Sequence, residues 1–132
     1  MTALDDPAVV ELLAAPNYGV ISTLNEDGSV HSCVVWLGLE GTAVALNSNT
    51  DRVWPRNLAR NPRATVLVFE SGNPYYYVEI RGRTTSTQEG AKEQIDELSK
   101  QYLGKDPYPY LQPGEQRVKF LLHPDRIRLY KQ

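Results

Sequence analysis

Apolar and polar residues alternate over many short stretches of this chain, a pattern typical of strands with one buried face. Turn residues such as Asp27-Gly28-Ser29 and Glu40-Gly41 separate these stretches. The first three strands follow one another closely and predict an antiparallel meander. We predict strands over residues 18–24, 30–39, 42–46, 64–70, 75–85, 117–122 and 126–130.

Three other segments have the periodicity of helices. Asp6-Pro7 predicts the N-cap and first turn of a short helix. Residues 52–61 predict a second helix, in which Arg52, Arg56 and Arg60 would share one face. Ser86 with Glu89 three residues later has the form of a capping box for a third helix, and Gly104 ends that helix.

The arrangement of these elements bounds the fold class. Residues 64–70 are almost continuously apolar, which is typical of a strand buried on both faces. Residues 105–115 are rich in proline and predict a loop, and His123-Pro124-Asp125 separates the last two strands. Six or seven strands with two or three short helices predict one mainly-β domain over residues 1–132, and the regular strand spacing favours a barrel.

Composition narrows the classes of function. Among 132 residues, 14 basic and 16 acidic side chains leave a net charge of −2, whereas a general nucleic-acid binder normally carries excess positive charge. Cys33 is the one cysteine, so no disulfide forms within the chain and a reducing cytoplasm is the expected location. No signal peptide and no membrane-spanning apolar run is expected, so we predict a soluble protein that binds neither nucleic acid nor membrane.

Residues that commonly carry catalysis or bind metals are sparse. His31, His123 and Cys33 are too few and too scattered for a zinc site. Neither a nucleophile elbow nor a Gly-x-Gly-x-x-Gly turn is present. We therefore predict no metal site and no catalytic side chain.

The most distinctive stretch is residues 47–63, which combines four arginines with short hydroxyl and amide side chains. A phosphate needs free N–H groups at a helix start, a guanidinium and nearby hydroxyls. Residues 48–51 would supply the entry loop of the helix that carries these arginines. A solvated basic surface is the alternative interpretation.

Several short pieces of the chain form a recognisable series: residues 18–24, the Asp27-Gly28-Ser29 turn, and residues 31–36, 56–63, 77–82, 102–106 and 113–118. Each piece is weak alone, but in their order and spacing, over almost the whole chain, they resemble the pyridoxamine 5′-phosphate oxidase-like flavin and deazaflavin oxidoreductases. More narrowly, they are similar to the branch that uses coenzyme F420.

This resemblance implies a split β-barrel of the antiparallel Greek-key type, which forms a homodimer with two cofactor sites at the subunit interface. The cofactor ring would lie along the second strand, and the phosphate and tail would lie on the segment after the third. Many relatives have a lysine where this chain has Trp54, whose indole could stack beside the ring or line the tail. The implied cofactor-binding residues are His31, Ser32, Cys33, Val34, Val35, Trp36, Ser48, Asn49, Arg52, Trp54, Arg56 and Asn57.

The strand patterns agree with a bound ring. On the second strand His31, Cys33, Val35 and Leu37 share one side, and the residues between them share the other. Ala43 and Ala45 lie on the neighbouring strand, and their small side chains leave space that a flat ring could fill. A barrel interior filled by its own side chains is the alternative interpretation.

Other aromatic and basic residues have open roles at this stage. Tyr75, Tyr76 and Tyr77 are consecutive, so at most two share a face; they are candidates for the substrate pocket, with core or dimer interface as the alternative. Tyr108 and Tyr110 could belong to a lid or simply pack on the surface. Arg117, Arg126 and Arg128 could reach the cofactor of the neighbouring subunit.

We therefore predict an oxidoreductase that uses reduced coenzyme F420 to deliver hydride to a small unsaturated organic substrate. An FMN-dependent oxidase or reductase of the same fold is the near alternative. A non-catalytic carrier of flavin, deazaflavin or haem is a rival of a different class.

Overall fold

Seven antiparallel strands and three helices make up the structure, a computed structural model that describes residues 3–132. The predicted mainly-β architecture is confirmed. In chain order the elements are α1 Pro7–Ala14, β1 Gly19–Leu24, β2 Val30–Val35, β3 Gly38–Glu40, β4 Ala43–Asn49, α2 Val53–Arg60, β5 Arg63–Glu70, β6 Asn73–Thr87, α3 Ala91–Leu103 and β7 Arg117–Lys131.

The strands form one sheet with the order β2-β1-β5-β6-β7-β4-β3. β1 pairs with β2 in a hairpin, but β4 pairs with β3 and β7 and not with β2. Both antiparallel pairings of the predicted meander are present, but its second strand, residues 30–39, forms two separate strands, β2 and β3. β1 and β2 lie at one edge of the sheet and β3 and β4 at the other, because the chain leaves the ladder after Val35.

The predicted strand over residues 30–39 is divided at Trp36 and Leu37, which is the local cause of that departure. The Leu37 N–H donates to the Tyr102 hydroxyl at 3.2 Å, and this hydroxyl lies 3.1 Å from the Leu37 carbonyl. A side chain of α3 thus satisfies the backbone groups that a neighbouring strand would otherwise pair. The break brings the end of β2 beside α3.

The predicted interruption at His123-Pro124-Asp125 is also wrong, since β7 is continuous through it. Pro124 lies opposite Gly82 of β6, where the pairing register shifts. A Cβ at Gly82 would collide with the His123 carbonyl. Glycine therefore admits an irregularity here that lets the strand continue past a residue with no N–H.

The predicted start of α3 at Ser86 is wrong as well. Ser86 belongs to β6, and α3 begins after Gly90, which has a φ of 75°. The long pairing of β6 with β7 extends to Thr87 and overrides the local capping signal. The predicted end of α3 is confirmed, because Gly104 has a φ of 71° and its N–H donates to the Lys100 carbonyl at 3.0 Å.

The core lies on one face of the sheet, under α1 and α2. On β5, Ala64, Val66 and Val68 are buried in it, whereas Thr65, Leu67 and Phe69 are half-buried. The prediction that this strand is buried on both faces is therefore wrong for a single chain. Its second face is an apolar surface that the chain itself does not fully cover.

Candidate functional site

The entry to α2 is built by the last residue of β4. Asn49 Oδ1 accepts hydrogen bonds from the N–H groups of Asp51 and Arg52, at 3.0 and 3.1 Å. An amide that bonds to the backbone two and three residues later holds a tight turn. This turn directs the chain from β4 into the helix and places Arg52 at its start.

The cavity beside this turn, called the Ser48 cavity below, has a volume of about 240 Å³. It is bounded by the ends of β2 and β4, the start of α2, one side of α3, the 105–116 loop and the start of β7. Its lining residues are Val34, Val35, Trp36, Asn47, Ser48, Arg52, Trp54, Ile95, Leu98, Tyr108, Tyr110 and Arg117.

Ser48 lines this cavity, and its hydroxyl is buried. The residue is only 2% exposed, and its Oγ has no hydrogen-bond partner among residues 3–132. A buried polar atom without a partner is costly, since it has lost its water and gained nothing. A ligand oxygen in the cavity would remove that cost.

Arg117, which the sequence pattern suggested for the neighbouring subunit, instead lines the cavity of its own chain. It is 9% exposed. Its Nε donates to Asn47 Oδ1 at 2.9 Å and its Nη1 to Glu115 Oε1 at 3.0 Å. Nη2 has no protein acceptor in the described part of the chain. The guanidinium is therefore held rigidly with donors still free.

Glu115 is the counter-charge to Arg117. Its carboxylate also accepts from Asn49 Nδ2 at 2.8 Å and from the Gln112 N–H at 3.0 Å. Burial alone raises the pKa of Glu115, but the hydrogen bonds from Asn49 and Gln112 and the charge of Arg117 hold that pKa below its ordinary value. The carboxylate therefore remains ionised at neutral pH.

Aromatic rings wall the rest of the cavity. Trp36 stacks on Tyr102, with ring centroids 5.3 Å apart and an interplanar angle of 10°. The edge of Tyr108 meets Trp36, and the Arg117 guanidinium lies 5.3 Å from the Tyr108 ring centroid. Flat apolar walls beside a cationic corner suit an aromatic ring that bears an anionic group.

The proline-rich loop is tied down over this cavity. The Tyr108 N–H donates to Asp96 Oδ1 at 2.8 Å, and Ser99 Oγ donates to the Lys105 carbonyl at 2.6 Å. Glu115 attaches the far end of the loop to Asn49. The loop is therefore a fixed wall of the site in this structure.

Trp54 is buried at 2% exposure and packs against Phe120, with ring centroids 5.0 Å apart. Its side chain lines the Ser48 cavity and, unlike the lysine of many relatives, carries no charge. The positive charge of the Ser48 cavity comes from Arg52, which is exposed at its rim, and from Arg117 at the start of β7, which is distant in sequence.

The arginines of α2 do not meet in one cavity. Arg56 lines a separate cavity of about 300 Å³ with Thr84, Thr85 and Phe120 among its walls. Arg60 Nη2 donates to the Leu24 carbonyl and to Asn57 Oδ1, both at 3.0 Å. Helical spacing therefore places these side chains on one helix, but the surrounding strands separate their environments.

Asn57 has a visible structural role. It is 5% exposed, and its Nδ2 donates to Thr23 Oγ1 at 3.1 Å and to Asn25 Oδ1 at 2.9 Å. These bonds attach α2 to the β1–β2 hairpin. Asn57 does not line the Ser48 cavity.

On β2 the expected alternation is present, with Ser32 and Val34 exposed and His31 and Cys33 half-buried. Val34, Val35 and Trp36 reach the Ser48 cavity, whereas His31, Ser32 and Cys33 do not line it. Ser32 Oγ lies 2.9 Å from Ser22 Oγ. His31 Nδ1 is buried and has no partner in the part of the chain that the structure describes. Burial raises the pKa of the Cys33 thiol.

The three consecutive tyrosines lie at the opposite end of β7. Tyr76 pairs with Lys131, whereas the start of that strand, Arg117, pairs with Asn49. Tyr76 is buried and donates to the Ala8 carbonyl at 3.3 Å, and Tyr77 stacks on Tyr130. Within one chain the fold does not bring these tyrosines to the Ser48 cavity.

Metal clusters and membrane-spanning helices are both absent from residues 3–132. No group of three or more His, Cys, Asp or Glu side chains there is placed to hold a metal ion. No helix in the same range has the length and apolar character needed to cross a membrane.

Comparison with known proteins identifies the relatives of this architecture. A family profile described as pyridoxamine 5′-phosphate oxidase matches residues 5–131. A solved F420 reductase superposes with a TM-score of 0.78 at 26% identity, over 89% of this chain and 94% of the other. No curated protein matches.

Two further solved structures share the fold at lower identity. The conserved hypothetical protein Rv2991 from Mycobacterium tuberculosis has a TM-score of 0.77 at 19% identity, over 96% of this chain and 84% of the other. General Stress Protein 26 from Bacillus anthracis has a TM-score of 0.70 at 19% identity, over 93% and 91%.

Proposed function

Because the chain belongs to the pyridoxamine 5′-phosphate oxidase family, we propose that it is an oxidoreductase that uses coenzyme F420. The phosphate lies in the Ser48 cavity, between Ser48, Arg52 and Arg117, and the ring lies against the end of β2. The observation that carries this proposal is the buried, unpartnered Ser48 hydroxyl beside a buried guanidinium with free donors. The similarity to a solved F420 reductase supports the choice of cofactor.

The fit to a phosphate is chemical as well as spatial. Ser48 Oγ, Arg117 Nη2 and the exposed Arg52 offer hydrogen-bond donors of two kinds, one neutral and two charged. Charge-assisted bonds from a guanidinium to phosphate are among the stronger hydrogen bonds in proteins. Trp36 and Tyr108 supply flat surfaces next to this corner.

The cavity is too small for a whole cofactor. Its volume of about 240 Å³ falls below the range of roughly 300–1,000 Å³ typical of small-molecule sites. We propose that a second copy of the chain completes the site by covering the exposed side of β2, where Val30 and Val34 are 62% and 66% exposed. In such a homodimer the tyrosines at residues 75–77 can belong to the substrate pocket of the other subunit.

Bound reduced coenzyme F420 would supply a hydride to an electron-poor double bond of a small organic substrate. The chain contributes orientation and charge compensation. Arg117 and Ser48 fix the phosphate, the Trp36 wall excludes water from one side of the ring, and the fixed loop closes the cavity. No side chain of the cavity is assigned a proton transfer.

Titration of the purified protein with coenzyme F420 and with FMN, followed by fluorescence, tests the proposal. We expect micromolar binding of coenzyme F420, weakened on the order of tenfold or more in Ser48→Ala because a hydrogen bond to a charged group is lost. Ser86→Ala is the matched control, since Ser86 lines a different cavity.

Three results would redirect the proposal. Unchanged affinity in Ser48→Ala would remove the Ser48 cavity as the phosphate site. Tight FMN binding without coenzyme F420 binding would identify the FMN-dependent alternative. Binding without hydride transfer to any of a panel of activated alkenes would favour the non-catalytic carrier.

A further inference from the structure

We propose that Glu115 makes the Ser48 cavity selective for phosphodiester monoanions over phosphomonoester dianions. This inference rests on the proposed function, because it specifies which kind of phosphate the same cavity accepts. It concerns a residue that touches no ligand directly: Glu115 does not line the cavity but binds Arg117, which does.

The Arg117 guanidinium would be shared between Glu115 and the bound phosphate. Arg117 Nη1 is 3.0 Å from Glu115 Oε1, and the two side chains are 7% and 11% exposed. A ligand oxygen on the free Nη2 and a carboxylate on the adjacent Nη1 would lie within roughly 4–7 Å of each other. Because Arg117 and Glu115 are largely buried, this repulsion is weakly screened by solvent.

The charges at this corner can then be counted. Arg117 and Glu115 cancel, so the buried part of the anchor is neutral, and Arg52 at the rim supplies the net positive charge. A phosphodiester carries one negative charge. A phosphomonoester carries about 1.5 to 2 at neutral pH, since its second pKa is near 6. Because Glu115 offsets Arg117, the anchor attracts a second negative charge only weakly, whereas removing a doubly charged phosphate from water costs much more than removing a singly charged one.

Hydrogen bonding does not reverse this preference. Ser48 Oγ and Arg117 Nη2 donate equally well to either kind of phosphate. Glu115 does not relieve the repulsion by taking up a proton, because its hydrogen bonds from Asn49 and Gln112 hold its pKa below the ordinary value. The discrimination is therefore electrostatic. The phosphate of coenzyme F420 is a diester and that of FMN is a monoester, so the preference bears on the choice between these cofactors.

The test compares ligands that differ only at the phosphate. For both the 8-hydroxy-5-deazaflavin ring and the flavin ring, the dissociation constant is measured for the neutral ribityl compound, its 5′-phosphate and the methyl ester of that phosphate. At pH 7.5 we expect the methyl ester to bind more tightly than the 5′-phosphate on the order of tenfold, which is the scale of one uncompensated charge at this separation.

Glu115→Gln should narrow this discrimination while keeping the fold, because glutamine is nearly isosteric and its amide oxygen still accepts hydrogen bonds. Glu115 repels each negative charge of the ligand, so we expect a gain on the order of tenfold for the 5′-phosphate and about threefold for the singly charged methyl ester. Glu26→Gln is the matched control. It makes the same charge change at an exposed position in the β1–β2 turn and should leave every affinity unaltered.

A pH series on the unaltered protein gives a second readout that needs no variant. Between pH 7.5 and 5.5 the monoester gains a proton and the diester does not, while Glu115 stays ionised. Affinity for the 5′-phosphate should therefore rise as the pH falls, and affinity for the methyl ester should remain flat. If Glu115→Gln fails to fold, a 5′-phosphate affinity that stays flat in this series still overturns the proposal.

The outcomes separate this inference from the proposed function. Equal binding of ester and 5′-phosphate, with both still weakened by Ser48→Ala, would overturn the selectivity and leave the phosphate site standing. If neither phosphate binds better than the neutral compound, or nothing binds, the phosphate site fails and the selectivity falls with it.

Discussion

The two cavities that flank α2 make an instructive comparison. Each has an arginine from the same helix segment, Arg52 in one and Arg56 in the other, and their volumes are about 240 and 300 Å³. In the Arg56 cavity, however, none of the four hydroxyl residues is buried without a partner. Thr84 Oγ1 donates to the Pro62 carbonyl, Thr85 Oγ1 lies 2.9 Å from His123 Nε2, and Thr50 and Ser86 are exposed.

The Ser48 cavity differs in having a buried hydroxyl without a partner. Ser48 Oγ is unsatisfied, and Arg117 is fixed by two hydrogen bonds while one nitrogen remains free. Positive charge is thus common to both sides of the helix, but only one side holds oriented, dehydrated donors. Oriented donors, rather than charge, distinguish a binding site from a solvated surface.

The largest expected effect comes from removing the buried guanidinium. Arg117→Met leaves Glu115 buried without its cation, and we expect a loss of about 3–5 kcal/mol in the free energy of unfolding. Denaturant titration measures it. Adding Glu115→Gln to this variant should restore most of the stability without restoring cofactor binding; a double variant as unstable as the single one would contradict the pairing.

The comparison is sharpened by serine-to-alanine changes on the two sides of α2. Ser48→Ala should weaken phosphate binding on the order of tenfold while leaving stability unchanged or slightly raised, because the hydroxyl has no partner to lose. Ser86→Ala, in the Arg56 cavity, should alter neither quantity. Calorimetric titration and thermal unfolding together check both variants, and a large destabilisation by Ser48→Ala would show that its hydroxyl is satisfied in solution.

A smaller effect concerns pH. Because the folded-state pKa of Glu115 is lowered, its contribution to stability is fully present above the ordinary glutamate pKa of about 4.3 and is lost as the pH falls through the folded value. The difference in unfolding free energy between the unaltered protein and Glu115→Gln should thus be constant near neutrality and change only below roughly pH 4.3. A difference that already changes between pH 6 and 8 would contradict this assignment.

The smallest effect is expected at Arg56. Arg56→Gln should change cofactor affinity by less than about twofold, since an exposed charge outside the cavity acts only through solvent. The same titration with Arg52→Gln should show a clearly larger loss, because Arg52 lies at the rim of the Ser48 cavity. Equal losses would mean that both arginines reach one ligand, as their helical spacing first suggested.

The sequence predicted local structure correctly wherever that structure depends on residues within a single helix, strand or turn. The alternation on β2, the left-handed end of α3 at Gly104 and the helix after Asn49 all depend on neighbours a few residues away. The same locality misled at Ser86 and Pro124, where the pairing of two long strands outweighed the capping and breaking signals.

The candidate site shows the same division. Ser48 and Arg52 lie where a hydroxyl-rich loop enters a helix, so their proximity could be read from the chain. Glu115 and Arg117 join them only because β4 pairs with β7, and the bond from Arg117 to Asn47 spans 70 residues. No periodicity near Arg117 carries that information.

What the sequence determined by itself was therefore the family, the mainly-β class and the loop and helix segment around Asn49, because these depend on residue order and short-range pattern. The tertiary structure alone decided which donors are buried and unsatisfied, which arginine shares a cavity with Ser48, and where Glu115 places its charge. Burial and charge pairing arise when distant strands meet, and only that meeting removes water from the groups concerned.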